Sequence, residues 1–214
     1  MKAIVVPGVT DLNKGDQALV WESHRIIEDT GLFSEVAVLS LGDTKEEFKL
    51  LCSQTETKGL RLITNILKHP RRGKHPKNNV IGENMFYLLY QVFNAVSDLF
   101  TRGLLLKVAN SSFITNLFFS KETITTVNEF KSADVIFVKG GGFIHAHGEK
   151  TAPYVIWFFL FYIKLAKKLN VIVKDYSDLQ LELQKADVVV VATGAQNPTI
   201  DKTILNLKKP LLIL

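Results

Sequence analysis

Cysteine is nearly missing from this sequence. Cys52 is the one thiol among 214 residues, so no disulfide closes within a single chain, and the composition suits a reducing compartment. Also missing is an apolar run of the roughly 20 residues needed to cross a bilayer. The most apolar run, YVIWFFLFYI at Tyr154–Ile163, is about half that long and reads as a buried helix. The opening MKAIVVPGV has one lysine and a short apolar stretch interrupted at Pro7-Gly8, too short for the core of a secretory leader with its cleavage site. A cytoplasmic protein is expected. GxSxG, GxxxxGK(S/T) and HExxH are all absent, which removes those hydrolase, phosphate-loop and zinc-protease signatures. An intact GxGxxG is absent too, which weakens the case for a complete dinucleotide site.

Acidic charge is the scarcer sign, with 21 Asp and Glu against 26 Lys and Arg and a formal net charge of +5. The resulting pI near 9.2 favours anionic partners in general. The basic residues are spread along the chain except in HPRRGKHPK, His69–Lys77. That run is expected to be a solvated loop, the other readings being contact with a phosphate-bearing partner or an acidic membrane surface.

What is abundant is apolar. A content of 47% hydrophobic and 22% charged residues describes a globular chain able to bury a sizeable core. Strand-like and helix-like segments alternate: KAIVVPG, then GDQALVWESHRIIEDTG with Ala18, Leu19, Ile26 and Ile27 in helical period, then EVAVLSL and TKEEFKLLC. A long amphipathic helix is expected over Glu83–Asn110, its solvent stripe marked by Asn84, Gln91, Asn94, Asp98 and Arg102. Peripheral membrane contact through its aromatic residues is an open alternative. KETITTVNEFKSA, the strand DVIFVKG, a helix over Tyr154–Leu169, and then VIVKDY, SDLQLELQKA, DVVVVAT and PLLIL complete the pattern. Short Val/Ile runs between helices suit a sheet covered on both faces, so the expected fold is α/β with a mainly parallel, Rossmann-like sheet.

In such sheets ligands collect at the carboxyl ends of the strands, where backbone N–H groups and helix N-termini hold anions. Three loops qualify: Thr10–Leu19 (TDLNKGDQAL), Lys139–Glu149 (KGGGFIHAHGE) and Ala192–Thr199 (ATGAQNPT). In the first, the Asp16 carboxylate is placed to cap the helix start and complement its positive end. In the second, three consecutive glycines exceed what a plain turn requires and admit close approach of a ligand. Lys139, His145 and His147 stand at that strand end as groups for acid, base or hydrogen-bonding work. The HxH spacing lacks a third ligand nearby, so no metal is expected. Cys52 is read as a buried or incidental thiol.

NKGDQALVWESHRII after the first strand, followed by SADVIFVKGGGFIH, resembles the polysaccharide pyruvyl transferase family, which carries N-x-G-D-x-A and Asp-apolar-Gly-Gly-Gly motifs in that order. The resemblance covers residues 1 to about 169. It implies a GT-B-like N-terminal domain, transfer of pyruvate from phosphoenolpyruvate to a sugar or lipid-linked saccharide in exopolysaccharide biosynthesis, no cofactor, and no nucleic-acid partner. It also implies substrate contacts at Asn13, Gly15, Asp16, Gly140, Gly141 and Gly142, with His145 beside them. The family's basic and acid residues lie largely in a second half with no equivalent here, which puts catalytic competence in doubt.

From about Leu165 to Leu214, LAKKLNVIVKDYSDLQLELQKADVVVVATGAQNPTIDKTILNLKKPLLIL is similar to part of the nucleotide-binding domain of glutamyl-tRNA reductase. That resemblance implies an NADP site at Thr193, Gly194 and Ala195. Together the two resemblances suggest a composite, with one segment over residues 1–169, a second over 170–214, and a join inside LAKKLN. A third reading is an inactive α/β remnant. FKSADVIFVKGGG and LQKADVVVVATGA, which look like copies of one unit, are therefore expected to be unrelated strands sharing the physics of a parallel strand that ends in a ligand-facing turn.

Overall fold

Val-rich pentapeptides build the centre of the sheet in the computed structural model, which describes residues 1–72, 85–139, 152–169, 171, 188–189 and 212–213. Strand β1 (Lys2–Val6) pairs in parallel on one side with β2 (Glu35–Leu39) and on the other with β4 (Val135–Val138), while β2 pairs with β3 (Arg61–Ile63). The order is β3-β2-β1-β4. Between the strands run helices α1 (Lys14–Asp29), α2 (Lys45–Thr57), α3 (Met85–Val108), α4 (Ser112–Phe118) and α5 (Lys121–Ser132), with α6 (Ala152–Lys168) after β4. A separate parallel pair joins β5 (Val188–Val189) to β6 (Leu212–Ile213). The chain is an α/β protein with a parallel, Rossmann-like four-stranded sheet flanked by helices, as its alternating pattern predicts.

Alternation along each strand sorts side chains onto two cores. Ile4, Val6, Ala37 and Leu39 pack against Leu105 of α3, Phe130 of α5 and Phe161, Tyr162 and Leu165 of α6. Ala3, Val5, Val36 and Val38 face the opposite way, onto Val20 and Ile27 of α1 and Cys52 of α2. Both faces are apolar because both are covered, which is why the strands lack the polar alternation of a half-exposed sheet.

Several local expectations are corrected. In α1 the buried stripe is Gln17, Val20, His24 and Ile27, whereas Leu19 is 39% exposed. Polar Gln17 and His24 take inward positions because each has a partner: Gln17 donates to Asp11, and His24 Nδ1 lies 3.1 Å from Glu28 Oε2. Strand β3 and helix α4 have no counterpart in the sequence reading. The first is only three residues long, and the second is a single seven-residue segment directly after the much longer α3.

The largest correction concerns α3. The polar stripe of Asn94, Asp98 and Arg102, expected in solvent, is turned inward. Asp98 is 6% exposed and pairs at 2.7 Å with Arg72, Asn94 donates to the carbonyl of Pro70, and Arg102 reaches Thr123. The apolar stripe faces out, with Phe86, Phe93 and Phe100 at 84%, 71% and 77% exposure. The start of the basic run is likewise not a solvated loop, since Arg72 is drawn to the Asp98 carboxylate and holds a positive φ of 52° there. Residues 73–77 of that run lie outside the described residues, as do the segments expected as VIVKDY beyond Val171 and as SDLQLELQKA. Among the described residues no helix is long and apolar enough to cross a membrane.

Candidate functional site

The strand order reverses at β1, with β2 and β3 on one side and β4 on the other. In open α/β sheets that reversal splits the loops apart and leaves a crevice at the carboxyl ends of the strands. A cavity of about 170 Å³ lies there. Pro7, Gly8 and Thr10 after β1, Asp16 on α1, Lys139 after β4 and Phe158, Phe159 and Tyr162 on α6 contribute to its lining. A larger cleft of about 440 Å³ opens beside it, bordered by Thr44, Lys45, Lys49 and Lys68, and shares Asn65 with the first.

The first-loop motif explains the geometry at one wall. Asn13, extended at φ −103° and ψ 103°, is the N-cap of α1, and its Oδ1 accepts from the backbone N–H groups of Gly15 and Asp16 at 3.1 and 3.3 Å. The cap is therefore Asn13 rather than Asp16. An amide oxygen one residue before the helix reaches the free N–H groups of the first turn, and the Asp16 carboxylate turns to Lys139 instead. This frees Asp16 to project into the cleft, where Oδ1 lies 2.8 Å from Lys139 Nζ. The Lys139 side chain is 3% exposed and Asp16 30%, so the ammonium is desolvated at its strand end while the carboxylate keeps contact with water.

A second set of contacts fixes the loop that carries Asn13. Asp11 is buried and accepts from Gln17 Nε2 at 2.8 Å, from Thr55 Oγ1 at 2.6 Å and from the backbone N–H groups of Gln54 and Thr55 at 2.7 and 3.3 Å. Burial alone would raise its carboxyl; these four donors outweigh it and hold the group below its ordinary value. On the opposite wall Tyr162 OH accepts from the backbone N–H groups of Ile66 and Leu67 at 2.9 and 3.4 Å and donates to Asn65 Oδ1. Burial pushes that phenol above its ordinary value. Gly8 allows the two strand ends to approach, because a Cβ on it would stand 2.8 Å from the carbonyl oxygen of Ser40.

Of the site residues expected from sequence, the structure brings Asp16 to the cleft and places Asn13 and Gly15 just behind it as the helix cap. Gly140, Gly141, Gly142, His145 and His147, and Thr193, Gly194 and Ala195, lie outside the described residues. Asp11, Asn65 and Tyr162 were not anticipated. Asp11 stands in the same TDLNKGD stretch as Asn13 and Asp16, a local density of short polar residues that marks it, but nothing near Tyr162 distinguishes it from other aromatic residues of α6. Cys52 is fully buried, donates towards the Leu41 carbonyl and accepts from the Leu41 N–H. Burial pushes its thiol up to about 11, the reverse of what a nucleophile needs. Among the described residues no group of three or more His, Cys, Asp or Glu is placed to hold a metal ion.

No protein-family model matches the chain, and no solved structure matches it. Among curated proteins, the glutamyl-tRNA reductase of Flavobacterium psychrophilum is 86% identical over 51 residues, which are 24% of this chain and 12% of that protein. Glutamyl-tRNA reductase 2 of Flavobacterium johnsoniae is 78% identical over 50 residues, 23% of this chain and 12% of its own length. The glutamyl-tRNA reductase of Christiangramia forsetii is 59% identical over 51 residues, again 24% and 12%. The chain thus spans 12% of the length of these relatives. The matched length is close to the roughly 50 residues of the C-terminal segment read as reductase-like. These names overturn the expectation of a polysaccharide pyruvyl transferase in exopolysaccharide biosynthesis, with phosphoenolpyruvate and a saccharide acceptor as partners and no nucleic acid. The two motifs behind it are short, and their Asn and Asp serve here as an ordinary helix cap and an ion pair. A stretch of about 50 residues in this chain is similar to glutamyl-tRNA reductase.

Proposed function

We propose that residues from about 165 to 214 are a portion of a glutamyl-tRNA reductase nucleotide-binding domain, joined near residue 169 to an α/β unit of different origin, and that this portion binds NADPH at Thr193, Gly194 and Ala195. The observation that carries the reading is 86% identity sustained over 51 residues, too high for likeness between unrelated strand-helix units. In the sequence Thr193-Gly194-Ala195 comes directly after the Ala-Asp-Val-Val-Val-Val-Ala run, and small residues let a backbone approach a cofactor. No nucleophilic role is assigned to Cys52, whose thiol is buried and kept protonated. Equilibrium dialysis of the full chain with NADPH tests the proposal. Saturable binding that Gly194→Val weakens at least about tenfold supports it, since a branched side chain blocks that approach. Failure to bind NADPH refutes it.

A second reading is favoured by the cleft at the strand reversal. The desolvated Lys139 ammonium and the Asp16 carboxylate at its mouth suit a small ligand bearing a phosphate and hydroxyl groups. On this reading Asn13 and Gly15 shape the wall. Isothermal titration with a panel of nucleotides and nucleotide-sugars is expected to yield one binder whose affinity falls roughly tenfold or more in Asp16→Asn. A binder unaffected by Asp16→Asn would remove the cleft from consideration.

A further inference from the structure

The outward face of α3 is the least explained surface of the molecule. At 100° per residue, Met85, Phe86, Leu89, Phe93, Val96 and Phe100 fall within one half of the helix circumference. They are exposed at 66%, 84%, 55%, 71%, 59% and 77%. Gly103 stands at one edge of that arc, in line with Met85, with nothing within 4 Å of where its Cβ would be. A helix normally puts such an arc on the core and its polar stripe in water. Here the polar stripe is held inward by Asp98, Asn94 and Arg102, so rotating the helix to hide the apolar arc would break those contacts.

We infer that this arc is a two-fold interface, α3 packing on α3 of a second copy of the chain. The area is sufficient. With aromatic side chains contributing about 150–250 Å² each, the exposed arc amounts to roughly 1,000 Å² per chain, against about 800 Å² per partner in a stable interface. The pattern is suitable as well. Met85, Leu89, Val92, Val96 and Leu99 recur at alternating steps of four and three residues, the spacing that meshes one helix with another. Gly103 removes bulk where two helices approach, although glycine is disfavoured inside a helix. No charged residue occurs from Met85 to Ser97, so the face offers no electrostatic code for a dissimilar partner and is compatible with itself about a two-fold axis. A membrane surface fits poorly, because an interfacial helix keeps a Lys/Arg-bearing polar face in water, and the polar face of α3 is packed against protein.

Sedimentation velocity of the full chain at micromolar concentration tests the inference. The expected species has twice the 24.0 kDa of one chain. The double variant Phe93→Asp/Phe100→Asp is expected to raise the dimer dissociation constant at least about 100-fold with an unchanged far-ultraviolet circular dichroism spectrum, while Leu32→Asp, on an exposed turn away from α3, leaves the dimer intact. A second measurement does not depend on the double variant folding. In Val96→Cys the new thiol lies near the midpoint of α3 while Cys52 stays buried, so a short bis-maleimide links two chains through residue 96. A chain that is monomeric throughout, that floats with lipid vesicles as a monomer, or that dimerises without cross-linking at residue 96 overturns the inference.

Discussion

Asp11 shows how much one side chain can decide. Three of its hydrogen bonds tie the loop after β1 to the last turns of α2 and the fourth, from Gln17, ties it to the first turn of α1, and through that loop they set where Asn13 starts α1. Asp11→Asn places an N–H donor against these donors and is expected to cost about 1–3 kcal/mol in urea unfolding. The carboxyl is held below its ordinary value of 3.8, so the folded state favours the ionised form. Its contribution is present above that value and is lost as pH falls through the lower, folded one. Wild-type stability should therefore fall in acid more steeply than that of Asp11→Asn. Cys52 runs in the other sense. Its thiol is raised from 9.0 to about 11, so the folded state retains a proton that the unfolded state has released. Stability from this group is intact below pH 9.0 and is lost as pH rises through about 11. At neutral pH iodoacetamide is expected to leave the native protein unlabelled and to modify one thiol once denaturant is added, as mass spectrometry would record. Cys52 stands in no catalytic motif, which reads as a buried or incidental thiol, and it is buried. The Asp16–Lys139 pair was not legible, because its members are 123 positions apart and only the sheet order brings them together.

Among the elements, α3 departs furthest from its sequence pattern. Periodicity identified the helix and its two stripes correctly but not which stripe faces the protein. The spacing of apolar residues defines two unlike sides, and the side that is covered depends on what neighbouring segments present. Here the segment through Pro70 and Arg72 offers a carbonyl and a guanidinium, which select the polar stripe. The structure consequently has an Asp98–Arg72 pair that is 8% and 23% exposed. Asp98→Ala strips Arg72 of its partner and is expected to lower stability by about 2–4 kcal/mol, measured by thermal or chemical denaturation. Deeply apolar strands were easier to read. Arg61–Ile63 was missed because three residues carry too little pattern, whereas β1, β2 and β4 each contain a Val/Ile run that only a covered sheet accommodates.

For the whole molecule, the α/β class followed from alternation alone, and the seam proposed near residue 169 rests on a change in resemblance rather than in composition. No physical property of LAKKLN marks a boundary, since a helix end with lysines satisfies either flanking segment. The strand order β3-β2-β1-β4 was not deducible from local pattern, yet it is what makes the cleft. That order also has a temporal side. In the register Ala3↔Val135 to Val6↔Val138, the first strand of the chain acquires its second neighbour only after more than a hundred intervening residues have been made. At a synthesis rate of about 5–20 residues per second, β1 and β2 stand paired on the ribosome for roughly 5–20 s before β4 emerges. Throughout that interval one edge of β1 presents open backbone groups, and in its later part the aromatic side of α3 is in solution as well. Premature association during translation is therefore the hazard that this topology builds in, and early docking of α1 and α2 on the opposite face is the protection available to the nascent chain.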